Sequence, residues 1–434
     1  MPYDIIIGRD EADKKRFGKK GLIFLGKGYV KMGQYTSLSN PIYMDVARSH
    51  VILISGKRGS GKSYSLSVIA EELSTLPKEE AQNIGSLIFD TMGIFWTMKY
   101  ENEKETELLQ EWNLKPKKVP VKIFVPFGYY KDYEKRGIPI DEKLSINPAE
   151  LEAEDWILTF NLSITEPTAV LIERTITKLK EKLEKYTLED IIKAIKDDAS
   201  STQQEKNSAI SLFEAAQSWK IFSEKATAIE NLVQEGKTSI LDLSMYSSVG
   251  AFNVRALVIS IICRKLFKQR MLARKTEEIQ AVQQGIDYLS FKQKREMPLV
   301  WIFIDEVHEF LPDKGKTPAT DALIQILREG RQPGISLVMA TQQPGALARD
   351  AITQADIIIS HRVTAKPDID ALNFIMQSYL LENIKRYIDE LPSLKGSAII
   401  LDDNSERIYP MRVRPKFTWH GGEAPTAVKI EKRL

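Results

Sequence analysis

The chain alternates short, almost wholly apolar runs with longer stretches in which apolar residues recur every three or four positions. The short runs are VILIS at 51–55, SLIFD at 86–90, VKIFV at 121–125, SILDL at 239–243, LVWIFI at 299–304, ISLVMA at 335–340 and DIIIS at 356–360. A strand with one wet face would alternate apolar and polar residues, so these runs predict strands covered on both sides. The segments between them carry helical spacing, as with Leu66, Ile69, Ala70 and Leu73. Strand and helix in regular succession predict an α/β fold built on a mostly parallel sheet.

Two regions depart from that rhythm. Residues 1–47 hold brief β-type runs, Leu22 to Leu25 and Ile42 to Met44, broken by Gly21, Gly26, Gly28, Gly33 and Pro41. They predict a short β-rich N-terminal element. Residues 149–236 turn to long helical runs, most plainly from Glu173 to Tyr186, and predict a helical insertion. The expected organisation is a core made of 48–148 and 237–415, this insertion within it, and an irregular tail over 416–434.

Composition narrows the class without changing the fold. With 434 residues, 43% hydrophobic and 28% charged, the chain is of ordinary globular make-up, which excludes disordered and fibrous proteins. No run of apolar residues is long enough to span a membrane, and the lysine-rich start is too charged for a signal peptide. Cys263 is the one cysteine, so an intramolecular disulfide and a thiolate zinc cluster are both excluded. A cytoplasmic protein without membrane insertion is expected. The 61 Lys and Arg nearly balance 59 Asp and Glu, which excludes a uniformly basic surface but leaves room for a local nucleic-acid channel.

The chemistry begins after the first core strand. Gly56-Lys57-Arg58-Gly59-Ser60-Gly61-Lys62-Ser63 has the spacing of a phosphate loop and the strand-before, helix-after setting that the pattern requires. Glycines let backbone N–H groups converge on phosphate oxygens at a helix N-terminus. Gly56, Arg58, Gly59, Ser60, Gly61, Lys62, Ser63 and the following Tyr64 are therefore expected to bind a nucleotide. Lys62 would reach the β- and γ-phosphates and Ser63 would ligate Mg²⁺.

The run Leu299 to Ile304 ends in Asp305-Glu306. In such an ATPase the first acid organises Mg²⁺ and the second activates a water for attack on the γ-phosphate. A small-molecule kinase would need to avoid that water activator. His308 and Glu309 read as packing or solvated residues on a following helix. Gln342, just past the 335–340 strand, would sense the γ-phosphate or hold the water. Arg331, Arg328 and Arg362 are candidates to stabilise transition-state charge, offered from a neighbouring subunit.

Taken in order, HVILISGKRGSGKSYS, ILDLS, FIDEVHEFLP, ILREGRQPGISLVMATQQP, IISHRV and LPSLKGSAIIL followed by WHGG resemble the HerA branch of the HerA–FtsK ATPases over most of 48–422. The resemblance implies a RecA-like P-loop NTPase core and a homohexameric ring that moves double-stranded DNA through a central pore with ATP and Mg²⁺. Archaeal members work with a NurA nuclease on DNA ends. Residue by residue, it gives Lys62 and Ser63 to phosphate and Mg²⁺, Asp305 and Glu306 to Mg²⁺ and water, and Gln342 to the γ-phosphate. Arg331 becomes the arginine acting in trans, with Arg48 a second position that could reach a neighbour. Asp90 matches an acidic position of the family, although Thr91-Met92-Gly93 departs from its usual sequence. Family members also usually begin with a larger β-barrel, so the resemblance implies that residues 1–47 are that barrel in reduced form.

DNA phosphates would meet Lys or Arg on pore loops. Lys115, Lys117 and Lys118, then Lys131, Lys135 and Arg136, then Lys292, Lys294 and Arg295 are candidate clusters. The run from Arg264 to Lys275 reads instead as an amphipathic helix face with Leu266, Phe267 and Leu272 packed inward. No zinc finger or base-reading motif occurs, so recognition independent of DNA sequence is expected. Alternatives are a DNA-packaging or DNA-transfer ATPase, and a nucleotide-dependent ring scaffold that activates an effector nuclease.

Overall fold

The computed structural model describes residues 3–32, 35–247, 252–284, 295–376 and 384–422. Among them lies a sheet of thirteen strands. In chain order these are β1 (Ile5–Ile7), β2 (Leu22–Met32), β3 (Tyr35–Asp45), β4 (Val51–Ser55), β5 (Ile84–Asp90), β6 (Val121–Pro126), β7 (Glu142–Leu144), β8 (Thr238–Asp242), β9 (Leu299–Ile304), β10 (Ile335–Thr341), β11 (Ile357–His361), β12 (Ser397–Asp402) and β13 (Arg407–Val413). Their order across the sheet is β1-β3-β2-β13-β12-β11-β4-β10-β9-β5-β8-β6-β7. From β11 through β7 every pairing is parallel.

Both faces of the central strands are covered, as their continuous apolar runs require. Side chains alternate between faces along each strand. Leu53, Met339, Ile302, Leu87 and Leu241 join one apolar core, whereas Ile52, Ile54, Val338, Phe303, Ile88 and Ile240 join the other. The shared register brings Ser55 of β4 beside Thr341 of β10, and Phe89 of β5 beside Ile304 of β9. The loops that follow these strands therefore emerge together along one sheet edge, where α/β proteins place their ligands.

The N-terminal residues do not form a separate reduced barrel. β2 pairs antiparallel with β13 and carries β3 and β1 outward, so the segment extends the same sheet. A Cβ on Gly26 would strike the Arg412 carbonyl, and the bare backbone is what allows β2 to lie against β13 there.

Between β7 and β8 run the helices Ala153–Thr159, Pro167–Lys182, Leu188–Lys196 and Gln203–Gln217. Thr187 and Thr202 each cap a helix start, with Asp190 and Glu205 returning the bond three residues on. Trp156, Phe160 and Phe213 form the aromatic centre of this bundle. The long helix Phe252–Gln284 packs beside it, and Arg264 pairs with Asp155 at 2.5 Å. On that helix Leu266 is buried and Phe267 partly so, but Leu272 is 60% exposed, contrary to its expected inward packing. The face that packs at that point carries Arg270, Ala273 and Glu277, all buried, and Leu272 lies off it.

Residues 416–418 belong to no helix or named strand, and all three are buried. They lie along the helix that follows the phosphate loop. Glu71 of that helix accepts the Phe417 and Thr418 N–H groups, each at 3.0 Å, and pairs with Arg414.

Candidate nucleotide site

The loop of residues 56–61 leaves β4 and turns into the helix Lys62–Ser74. Gly59 and Gly61 hold φ of 75° and 109°, conformations that side chains resist. The loop is pinned where Lys57 N–H donates to the Arg362 carbonyl at 3.1 Å and Ser60 N–H to the Lys57 carbonyl at 3.1 Å. Ser60 Oγ is buried without a hydrogen-bond partner among the described residues. Arg58 is exposed on the loop.

Below the loop stands His361, which the sequence reading passed over. Its Nδ1 donates to the Ser397 carbonyl at 3.0 Å, which leaves Nε2 to accept from Ser65 Oγ at 2.8 Å. Burial pushes this imidazole down to about 4, so it is neutral. A Cβ on Gly56 would lie 2.7 Å from His361 Cβ, so loop and ring are in close contact.

Lys62 is buried, with Nζ 3.3 Å from the Lys57 carbonyl. Burial lowers its pKa, while Glu306 and Asp305 pull the other way. Ser63 Oγ donates to Asp305 Oδ2 at 2.5 Å, joining the phosphate-loop helix to the end of β9. Asp305 Oδ1 accepts the Glu306 N–H at 2.9 Å, and burial raises its carboxyl above the usual range. Glu306 sits at φ 50°, ψ 45°, a left-handed backbone that a glutamate rarely adopts and that tends to mark functional sites. Burial, then the neighbouring Asp305, push its carboxyl up to about 7. The Gln342 N–H donates to this carboxylate, whereas Glu306 Oε2 makes no hydrogen bond among the described residues.

Lys62, Ser63, Asp305, Glu306 and the Gln342 backbone therefore converge at the C-terminal edge of β4, β9 and β10. Among the described residues no group of three or more His, Cys, Asp or Glu could hold a metal. A cation here would rest on the Ser63 hydroxyl, the Asp305 carboxylate and the nucleotide's own oxygens, a hard-oxygen set that suits Mg²⁺. Tyr64 faces away from this centre. Its hydroxyl donates to Glu105 at 2.9 Å and accepts from the Lys416 N–H at 2.6 Å, and its ring meets His420 edge-on at 5.2 Å.

Arg331, Arg328, Arg48 and Arg362 are not gathered into the site. Arg331 is exposed before β10, at the opposite edge of the sheet, about 20 Å away by strand rise over the seven residues of β10. Arg328 is paired with Asp350 at 2.9 Å, and Arg48 with Asp13 at 2.8 Å. Arg362 donates to the Leu391 carbonyl at 2.9 Å. Asp90 is taken up by its own turn, accepting from the N–H groups of Gly93 at 2.7 Å and Phe95 at 2.9 Å. Burial and the adjacent Asp242 raise Asp90 to about 7.

Lys131, Lys135 and Arg136 are exposed on the same edge as the site, after β6, while Lys115, Lys117 and Lys118 are exposed before that strand, at the other edge. Lys292 and Lys294 lie outside the described residues, and Arg295 pairs with Glu277 at 2.9 Å. Among the described residues no helix is long and apolar enough to cross a membrane.

A parallel sheet with a phosphate loop after one strand and an acidic pair after another defines a P-loop ATPase fold. Residues 30–266 match the family model for the central domain of the helicase HerA, and the chain belongs to that family. It is 27% identical over 185 residues to a DNA double-strand break repair helicase HerA of Pyrococcus furiosus. That match covers 40% of this chain and 32% of the relative, so it spans about a third of the relative's length. VirB4 of Thermoanaerobacter pseudethanolicus shares the fold at a TM-score of 0.59 and 11% identity, over 92% of this chain and 97% of that one. A bacterial conjugative coupling protein, TrwB lacking its N-terminal segment, aligns at 0.50 and 11% identity over 86% and 87%.

Proposed function

We propose that the chain is an ATPase that hydrolyses ATP to ADP and phosphate and couples this to movement along double-stranded DNA. The observation that carries the reading is the junction at one sheet edge: Ser63 bonded to Asp305, with the carboxylate of Glu306 beside it in a left-handed backbone. Lys62 would bind the β- and γ-phosphates, and Ser63 and Asp305 would hold Mg²⁺. Glu306 would take a proton from the attacking water, whose oxygen bonds to the γ-phosphorus as the bond to the ADP oxygen breaks. A carboxyl near 7 is well matched to that task at neutral pH. Gln342 would sense the γ-phosphate. Membership of the HerA family supports DNA as the substrate, and the Pyrococcus relative is named as a repair helicase.

A homohexameric ring follows from the same reading. It repeats the exposed Lys131, Lys135 and Arg136 six times around a channel, which gives a nearly neutral subunit a positive, sequence-independent path for DNA. Arg331 would then reach the nucleotide of a neighbour. A NurA-like nuclease is the partner proposed for work on DNA ends.

Steady-state ATP hydrolysis with and without linear duplex DNA tests this, with Lys62→Ala as background. Duplex DNA is expected to raise turnover several-fold, and Glu306→Gln to bind ATP yet turn it over very slowly. Near-normal turnover by Glu306→Gln would sink its role. Hydrolysis indifferent to DNA would favour the ring scaffold instead.

A further inference from the structure

The turn after Glu306 holds a histidine that neither the phosphate loop nor the acidic pair requires. Val307–Glu309 is a single 3-10 turn. In it His308 Nδ1 lies 3.2 Å from Thr341 Oγ1 and 3.4 Å from Glu306 Oε2. Thr341 is the last residue of β10, buried, and immediately precedes Gln342. An ionised carboxylate can only accept, so the tautomer carrying its proton on Nδ1 serves Glu306. The 3.4 Å separation is longer than a well-formed hydrogen bond, as catalytic contacts often are before substrate binds.

The turn is fixed from its other end as well. Glu309 pairs with Arg255 of the helix Phe252–Gln284 at 3.0 Å, and the Arg255 guanidinium lies 5.9 Å from the Phe310 ring centroid. His308 is therefore held between a β-strand end and a long helix, with its ring nitrogen against the one oxygen of Glu306 that has no hydrogen bond among the described residues. A carboxylate oxygen that faces a ring nitrogen held in place has a preferred orientation, which is what aiming a water demands.

We propose that His308 is a positioning residue for Glu306: it fixes the direction of the carboxylate and ties it to the end of β10. The proposal rests on the ATPase reading above, and the tests separate the two. His308→Ala should lower kcat roughly ten- to a hundredfold with nucleotide affinity unchanged. His308→Asn offers an amide N–H near the place of Nδ1 and should restore much of the rate, whereas His308→Gln, which matches Nε2, should not. Wild-type kcat in His308→Ala overturns the proposal. So does equal loss in Asn and Gln accompanied by a lowered melting temperature, the mark of a merely structural role.

A second measurement needs no turnover. Nitrogen-15 NMR of the histidine rings should show His308 protonated at Nδ1, with a signal that moves in Glu306→Gln. If the wild type fails to hydrolyse ATP while that coupling is present, the functional reading falls and the His308–Glu306 contact stands. If His308 is unaffected by Glu306→Gln, the positioning role is overturned whatever the activity.

Discussion

Ser63, on the first turn after the phosphate loop, donates its hydroxyl to Asp305 at the end of β9, with 2.5 Å between Oγ and Oδ2. Two segments 242 residues apart thus present a hydroxyl and a carboxylate at one point. Burial holds the Asp305 carboxyl above its ordinary range, and the Ser63 bond opposes that shift. Such a charge is costly to bury alone, and a divalent cation would stabilise it.

Asp305→Asn is therefore expected to lower Mg²⁺-supported hydrolysis by about two orders of magnitude and Ser63→Ala by about one. Asp305→Asn should leave thermal stability unchanged or raised, since it removes a buried charge. Hydrolysis titrated against Mg²⁺ reads the first effect and calorimetry the second. An unchanged Mg²⁺ half-saturation in both variants would exclude these oxygens as cation ligands.

Arg331 tests the ring. It stands exposed at the sheet edge opposite its own phosphate loop, so a catalytic role requires a second copy. Arg328 and Arg48 are each held by an acidic partner within the chain. When Arg331→Ala subunits are mixed into wild-type protein in rising proportion, ATPase activity should fall more steeply than the wild-type fraction. Loss in strict proportion would show that each subunit completes its own site.

The phosphate loop, the acidic pair and the parallel core were legible in the sequence because each depends on contiguous residues: a loop of fixed spacing, or a strand covered on both faces. What escaped depends on partners distant in the chain. His361 contacts Ser65 and Ser397, and nothing near 361 announces either. His308 reads as a packing or solvated residue on a following helix, whereas it lies in a 3-10 turn where β10 brings Thr341 against it. Residues 416–418 carry no periodicity, so nothing near them in the chain announces that Lys416 bonds Tyr64 or that Thr418 bonds Glu71, 347 residues earlier. The N-terminal strands were legible as strands, but the pairing of β2 with β13 was not, since apolar runs do not name their neighbours.

Glu71 is the centre of the clasp that holds the C-terminal segment against the phosphate-loop helix. Fully buried, it accepts from the Phe417 and Thr418 N–H groups, bonds the Thr418 hydroxyl and pairs with Arg414. Arg414 also pairs with Glu72 at 2.8 Å, so removing Glu71 takes one of its two carboxylates and leaves the buried Phe417 and Thr418 N–H groups without their acceptor. Glu71→Ala should thus cost about 3–5 kcal/mol, and Glu71→Gln less, because its amide oxygen still accepts. Urea unfolding should show a lower midpoint at unchanged slope. A Glu71→Ala midpoint within error of the wild type would mean that the segment is held by its other contacts.

His50 gives the fold a pH dependence with a defined sign. It lies just before β4, buried, with Nδ1 2.7 Å from Asp356 Oδ2 and Nε2 3.1 Å from Asp45 Oδ2. Asp45 is also paired with Arg9, and Asp356 accepts the Val51 N–H at 2.9 Å. Burial alone would favour the neutral ring, but the two carboxylates overcome it and raise His50 to about 9 from 6.5. The folded protein therefore binds this proton more tightly than the unfolded chain does. Its contribution is complete below about pH 6.5 and fades as pH rises through about 9, and by linkage it amounts to up to about 3 kcal/mol. Stability measured by urea unfolding should fall over that interval in the wild type. In His50→Gln it should be lower at pH 6 and should lack that part of the slope, so that the two curves approach each other above pH 9. Parallel curves for the two proteins across the interval would show that His50 carries no proton into the folded state.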